Sequence, residues 1–240
     1  NNFDFPKFRS LSNKDSIDRH GKINFLQNLN LKFADFDRNN SWFHVLDINY
    51  LASQEGLNNW QNERDWYMFR YSPSIKSCVN LSYNAAKFIL SVLGMSKKCL
   101  LIDLDDTLWG GTIGDDGVEN INLNKDNPIG EIYLDFQQYI LDLKSRGIML
   151  AVLSKNEEKI AKLGFKHPNS ILKIKDFSVF ICNWKNKFLN LKEALNQLNI
   201  KEDSAVFIDN NPVERDEMSK YSNVAVPNIG QDIISFRDII

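Results

Sequence analysis

From Lys98 onward, short apolar runs rich in β-branched residues alternate with segments whose apolar residues recur every three or four positions. The first pattern is that of buried strands and the second that of amphipathic helices. Strands are predicted over 99–103, 148–154, 177–182, 205–209 and 224–226. Between the first two, Asn127 reads as a helix cap and Pro128 as the first helical residue. Ile129, Ile132, Tyr133, Phe136, Ile140 and Leu143 then fall on one face, and Gly147 is the stop. A second helix carries Phe188, Leu191, Leu195 and Leu198, and a short one follows Pro212. Strands apolar throughout and separated by helices need cover on both faces, so the predicted fold is α/β, a doubly wound parallel sheet.

Residues 1–95 are less regular. They predict a smaller α/β region with a strand over 43–48, a helix over 81–93 and aromatic-rich connections such as NNWQNERDWYMFRY. The expected organisation is therefore an N-terminal region, 1–95, and an α/β domain, 96–240.

Lys and Arg number 29 against 31 Asp and Glu, a formal charge of −2, so no overall basic field recruits nucleic acid or an anionic membrane. Three cysteines, Cys78, Cys99 and Cys182, are odd in number and form no CxxC pair, which argues against a disulfide scaffold or a cysteine-built zinc site and for a reducing compartment. The first twenty residues lack a basic start followed by an apolar stretch, and no run approaches a membrane span. A cytoplasmic protein without membrane or nucleic-acid partners is expected. The chain starts on Asn1 and stops on Ile239-Ile240, which reads as a piece of something longer.

The informative stretch is CLLIDLDDTLWGGTIGDDG, 99–117. Asp103 ends an apolar strand, with Asp105 and Asp106 just beyond, so three carboxylates are expected to converge where the strand meets solvent. Such crowding implies a neutralising cation, and hard oxygen ligands select Mg²⁺ or Ca²⁺. A calcium loop counted from Asp103 fails, because Leu108 and Gly114 stand where Gly and Glu are required. Two other strands end in polar residues, Ser154-Lys155-Asn156 and Asp209-Asn210-Asn211. Ligands of open α/β sheets bind at the carboxyl ends of strands, so Asp103, Ser154 and Asp209 can share one crevice. The bland alternative makes Ser154 and Asp209 mere helix caps or turn formers.

With a later lysine, these features resemble the four motifs of the haloacid dehalogenase superfamily of phosphohydrolases. More narrowly, LIDLDDTLWGGTIGDDG, LAVLSKNEE, NWKNKFLNL and VFIDNNPVER resemble the FkbH-like branch, over about residues 98–227. The resemblance implies catalytic roles for Asp103 as nucleophile, Asp105 as acid and base, Ser154 and Lys187. It implies Mg²⁺ held by the Asp103 carboxylate, the Asp105 main-chain carbonyl and Asp209. Thr107, Ser154, Lys155, Asn156 and Lys187 would face the substrate. Lys185 and Lys187 point to nearly opposite sides of a helix, and the family pattern favours Lys187. Asn210 departs from the branch, where a second acid is expected, while Glu214 and Arg215 match its Glu-Arg pair and are expected to serve structural pairing first and substrate contacts second.

Only about twenty residues follow each of the first two motifs before the next element, too few for a lid domain of ~50 residues, so an open crevice is expected, suited to a bulky substrate or to a lid supplied by residues 1–95 or a partner. Four glycines, Gly110, Gly111, Gly114 and Gly117, fit a flap beside it, and Trp109 belongs either to the core or to the entrance. The branch is associated with a phosphorylated glycerate unit loaded onto an acyl carrier protein, which makes a small or carrier-bound phosphate ester the expected substrate and an acyl carrier protein a candidate partner. Loading members are expected to carry a cysteine just before Ser-Lys-Asn; this chain has Leu153 there, which favours phosphate release over acyl transfer. Cys182 reads as core. The alternative from another class is a catalytically idle Mg²⁺- and phosphate-binding domain that serves as an interaction module. Nucleotide-loop, HExxH and GxSxG motifs are absent. The N-terminal region resembles the tail of an SGNH-hydrolase-like module but lacks its nucleophile block, so it is not expected to be an independent hydrolase, and His20 and His44 are not expected to be catalytic.

Overall fold

The computed structural model describes residues 1–230 and 232–239, arranged as two compact units, 1–95 and 96–240. No helix among them is long and apolar enough to cross a membrane.

The first unit is helical: a 3₁₀ turn, Ser12–Ser16, then α1 (Lys22–Asn39), α2 (Ile48–Glu55), α3 (Leu57–Trp60), α4 (Glu63–Phe69) and α5 (Ile75–Val92). The α/β character expected of it is thus corrected. No strand forms over 43–48, because local partners take the groups a strand would need. Val45 N–H donates to Asp37 Oδ2 at 2.6 Å, Asp47 caps α2 by accepting from Tyr50 N–H, and the Phe43 ring packs edge-on against Phe36. The helix expected over 81–93 starts earlier, at Ile75, because Ser74 caps it by accepting from Ser77 N–H. The buried centre is small, Leu51, Ala52 and Trp60, and Trp60 Nε1 donates to Asp4 Oδ2 at 3.0 Å.

In the second unit β1 (Cys99–Ile102), β2 (Met149–Ser154), β3 (Val179–Cys182) and β4 (Ala205–Ile208) form a parallel sheet in the order β3-β2-β1-β4, the doubly wound arrangement predicted. The fifth predicted strand shrinks to a single bridge between Ala225 and Val206. Around the strands lie α6 (Ile113–Asp116), α7 (Pro128–Ser145), α8 (Glu158–Gly164), α9 (Lys187–Leu198), α10 (Pro212–Tyr221) and α11 (Phe236–Ile239). Strand side chains alternate between two apolar layers. Leu100, Ile102, Leu150, Val152 and Ile208 meet Tyr133, Phe136 and Ile140 of α7 on one face, whereas Leu101, Ala151, Leu153 and Phe207 meet Leu191, Ala194 and Leu195 of α9 and Met218 of α10 on the other. Asn127 caps α7 through Ile129 N–H and Gly147, at φ +95°, ends its turn, as the sequence predicts.

No inserted domain interrupts residues 103–127, which form a flap containing only α6. Two close approaches fix it. The Asp116 carboxylate stands where a Cβ on Gly111 would go, and Gly111 has φ +92°. The Trp109 ring lies over Gly164 of α8 and packs edge-on to Phe165. Trp109 is fully buried, so it is core. A Cβ at position 164 would fall 2.7 Å from the ring and 3.0 Å from Ile113. The expected outcome for Gly164→Ala is a loss of about 1–3 kcal/mol of stability by chemical denaturation, because a fixed indole cannot yield as a long flexible chain would.

Candidate active site

The order β3-β2-β1-β4 reverses direction at β1, so the chain leaves β1 and β4 on diverging paths and a crevice opens at their carboxyl ends. Ile102 pairs with Ile208, so Asp103 and Asp209 are the next residues on adjacent strands, and Asp103 N–H still donates to Ile208 C=O at 3.1 Å. The register therefore sets two carboxylates side by side, roughly one strand spacing of ~4.8 Å apart. At that range and an effective dielectric constant of ~20, their repulsion is about 3 kcal/mol.

Lys187 resolves it. Its Nζ lies 2.7 Å from Asp103 Oδ1 and donates to Asp209 Oδ2 at 2.6 Å, and all three side chains are buried. Lys187 is the first residue of α9, a position that disfavours a cation, so the two carboxylates are what hold it there. Lys185, in contrast, stays exposed at the surface. The crevice, about 210 Å³, is lined by Asp103, Asp105, Asp106, Ser154, Lys155, Asn156, Lys187, Asp209, Asn210, Asn211 and Glu214. A larger hollow of about 890 Å³ in the helical unit is lined by charges of both signs, among them Lys7, Glu55, Arg64 and Asp65.

The predicted side chains are not all disposed as the sequence suggests. Asp103, Asp105 and Asp106 line one crevice, but their carboxylates do not converge on a common point. The Asp105 carboxylate is taken by three donors, Trp109 Nε1 at 3.0 Å and Ile113 N–H at 3.1 Å on Oδ1, and Asn156 Nδ2 at 2.8 Å on Oδ2. Asp106, at φ +51°, turns to the flap and accepts from Gly111 N–H at 2.7 Å. Accordingly no three His, Cys, Asp or Glu side chains among the described residues form a metal-ligand group. Thr107 is also corrected: it is fully buried, absent from the crevice wall, and its hydroxyl is occupied by Asn210, accepting from the amide N–H at 3.3 Å. Ser154 is buried at the crevice and accepts from Asn156 Nδ2 at 3.2 Å.

Glu214 and Arg215 do not pair with each other. Arg215 donates to the main-chain carbonyls of Asp209 and Asn210, each at 2.7 Å, and to Asn228 Oδ1 at 3.1 Å, so it pins the turn that carries Asp209. Glu214 Oε1 accepts from Lys155 Nζ at 2.5 Å, while its buried Oε2 has no partner. Glu214 stands in the crevice wall, where the Glu-Arg match gave substrate contact only second place. Trp109 as a donor to Asp105 is what sequence reasoning missed, since no local signal marks its indole N–H.

The electrostatics follow from burial. Burial pushes the Asp209 carboxyl up to about 6, Asp103 adds to this, and Lys187 opposes it. Burial alone would lower the Lys187 ammonium, but Asp103 and Asp209 more than reverse this and hold it raised. Asp105 is also raised, by burial and slightly by Asp103, against the three donors. Cys182 is pushed up to about 12, chiefly by burial, which leaves an inert core thiol.

Among solved structures, the N-terminal part of the protein BF1531 from Bacteroides fragilis, described as containing a phosphatase domain complexed with Mg, matches this chain at 31% identity and a TM-score of 0.90. The two share a fold. The match covers 98% of this chain and 64% of that one. A HAD family enzyme from Bacteroides thetaiotaomicron, in complex with magnesium and inorganic phosphate, is a looser match: 16% identity and a TM-score of 0.38 over 55% of this chain and 93% of that one. A haloacid dehalogenase-like hydrolase from Xanthomonas campestris stands at 12% and 0.33 over 48% and 75%. No family model and no curated protein matches the chain.

Lys187→Met tests the ion triad. It leaves two buried carboxylates facing each other, and the expected cost near neutral pH is about 3–5 kcal/mol. Burial holds the Asp209 carboxyl above its unfolded value and Lys187 opposes that rise; without the ammonium the rise is larger, so stability is retained at low pH and lost as pH rises through the folded value. Denaturation curves of the variant should therefore approach wild type toward pH 4 and diverge above pH ~6.

Proposed function

We propose that this chain is a Mg²⁺-dependent phosphohydrolase of the FkbH-like branch of the haloacid dehalogenase superfamily, acting through an aspartyl-phosphate. The observation that carries the reading is the aligned pair Asp103 and Asp209 with Lys187 between them at the mouth of a parallel sheet. The 31% identical phosphatase-domain structure with Mg supports it.

The residues fit a hard cation. Asp103 and Asp209 bring more negative charge than Lys187 alone offsets, Glu214 Oε2 is a buried carboxylate oxygen without a partner, and all these donors are oxygens. The Asp103 carboxylate, the main-chain carbonyl of Asp105 and Asp209 would hold Mg²⁺. The bound ion supplies charge neutralisation between an anionic nucleophile and an anionic ester.

The chain's own groups account for the rest. An Asp103 carboxylate oxygen attacks phosphorus, forming the P–O bond to Asp103 as the ester P–O bond breaks. Asp105, raised by burial, delivers its proton to the departing oxygen. Water then attacks the same phosphorus, its proton returns to Asp105, and the P–O bond to Asp103 breaks to release phosphate. Lys187 and the Ser154 hydroxyl offset charge on the phosphoryl oxygens. A phosphoglycerate-derived or carrier-bound ester, with an acyl carrier protein as partner, is the substrate class we favour. The three free thiols fit a reducing, cytoplasmic setting.

The test is phosphate release from an aryl phosphate with Mg²⁺, expected for wild type and reduced by at least about 10³-fold in Asp103→Asn. Absence of turnover by the Mg²⁺-loaded protein would instead favour the idle binding module. A carboxyl must be ionised to bind a cation, and Asp209 is pushed up to about 6. Mg²⁺ binding followed by calorimetry should thus be strong at pH 7.5 and weaken steeply as pH falls below ~6.

A further inference from the structure

We infer that Asn156 is a positioning residue: it aims the Asp105 carboxyl at the departing oxygen and makes no phosphate contact through its amide nitrogen. The inference rests on the phosphohydrolase reading above, and on how the hydrogen bonds around Asp105 are shared out.

Asp105 Oδ1 receives two donors, the Trp109 indole N–H and the Ile113 amide N–H. A carboxyl oxygen has two lone pairs, and two donors match that capacity. Oδ2 receives one, from Asn156 Nδ2 at 2.8 Å, so Oδ2 has room for the proton that an acid must carry. Asn156 is the residue that fixes that oxygen. The grip comes from two directions: the flap holds Oδ1 through a tryptophan packed on α8, and the turn after β2 holds Oδ2. A carboxyl held at both oxygens cannot rotate about its terminal bond, which is the freedom an isolated aspartate side chain would keep.

Asn156 is buried, and its amide nitrogen has two hydrogens. One serves Asp105, and the other serves Ser154 Oγ at 3.2 Å. With both in use, none is left for a phosphate oxygen. The same side chain therefore ties the acid to the hydroxyl that faces the phosphoryl group, and it keeps the spacing of two groups that come from different strands. A side chain that bound phosphate directly would instead leave an N–H pointing into the crevice.

The two roles separate by leaving group. Expulsion of an alkoxide needs a proton, whereas expulsion of a dinitrophenolate does not. The value of kcat/KM ends at the first phosphoryl transfer, so it reports this step alone. For Asn156→Ala assayed with Mg²⁺, a simple alkyl phosphate should lose about 10²-fold or more in kcat/KM, and 2,4-dinitrophenyl phosphate less than ~10-fold. With the aryl ester kcat should fall together with KM, because water attack on the aspartyl-phosphate still needs Asp105 as base. Adding Asn156→Ala to Asp105→Asn should cost less than ~3-fold more on the alkyl ester, since a residue that acts through Asp105 has nothing left to position. Asn156→Leu, similar in size but without donors, must show the same split and serves where the alanine variant does not fold. Equal losses on both esters, or losses that multiply in the double variant, would overturn the inference. Wild type inactive on both esters would overturn the phosphohydrolase reading itself.

Discussion

One ammonium group organises this molecule's chemistry. The register of β1 against β4 places Asp103 and Asp209 side by side at the end of a dry sheet, an arrangement that repels itself unless a cation stands between the two carboxylates. Lys187 supplies that cation in the structure, buried at the start of a helix where the backbone dipole opposes it. A lysine held in such a place is matched to anions. The two carboxylates carry more negative charge than Lys187 offsets, an excess that suits a divalent cation; under the proposed function that cation and Lys187 together offset the charge of a phosphoryl group.

The scaffold serves this mouth by making its surroundings rigid. Two apolar layers clamp the sheet, so the strand ends cannot shift relative to one another without opening a packed core. Arg215 ties down the carbonyls of the turn that carries Asp209, and Trp109, lodged over Gly164, carries the flap's hold on Asp105. The flap, residues 103–127, contains one short helix and no inserted domain.

Much of this was legible in the chain before any coordinates. An apolar run that ends in Asp, repeated at 103 and 209 with Ser154 between, is a strong signal because strand interiors tolerate few charges. The cap at Asn127 and the stop at Gly147 are equally local. What escaped depends on contacts between distant residues. Lys155 meets Glu214 across 59 positions, and nothing near either residue announces it. The crowding of Asp103, Asp105 and Asp106 suggested convergence, but backbone turns and flap donors send the second and third carboxylates elsewhere. In the first unit Gly21 precedes α1 and offers no side-chain cap, and the 43–48 run lacks a neighbouring strand, so period and propensity misled where local hydrogen bonds decided.

The most direct measurement is a crystal structure with Mg²⁺ and vanadate or tungstate as a phosphoryl mimic. The account predicts the oxyanion within coordination reach of the Asp103 carboxylate, the metal beside Asp209, and Lys187 Nζ on the same face. An oxyanion lodged elsewhere, with the crevice at the ends of β1 and β4 holding neither ion, would contradict it.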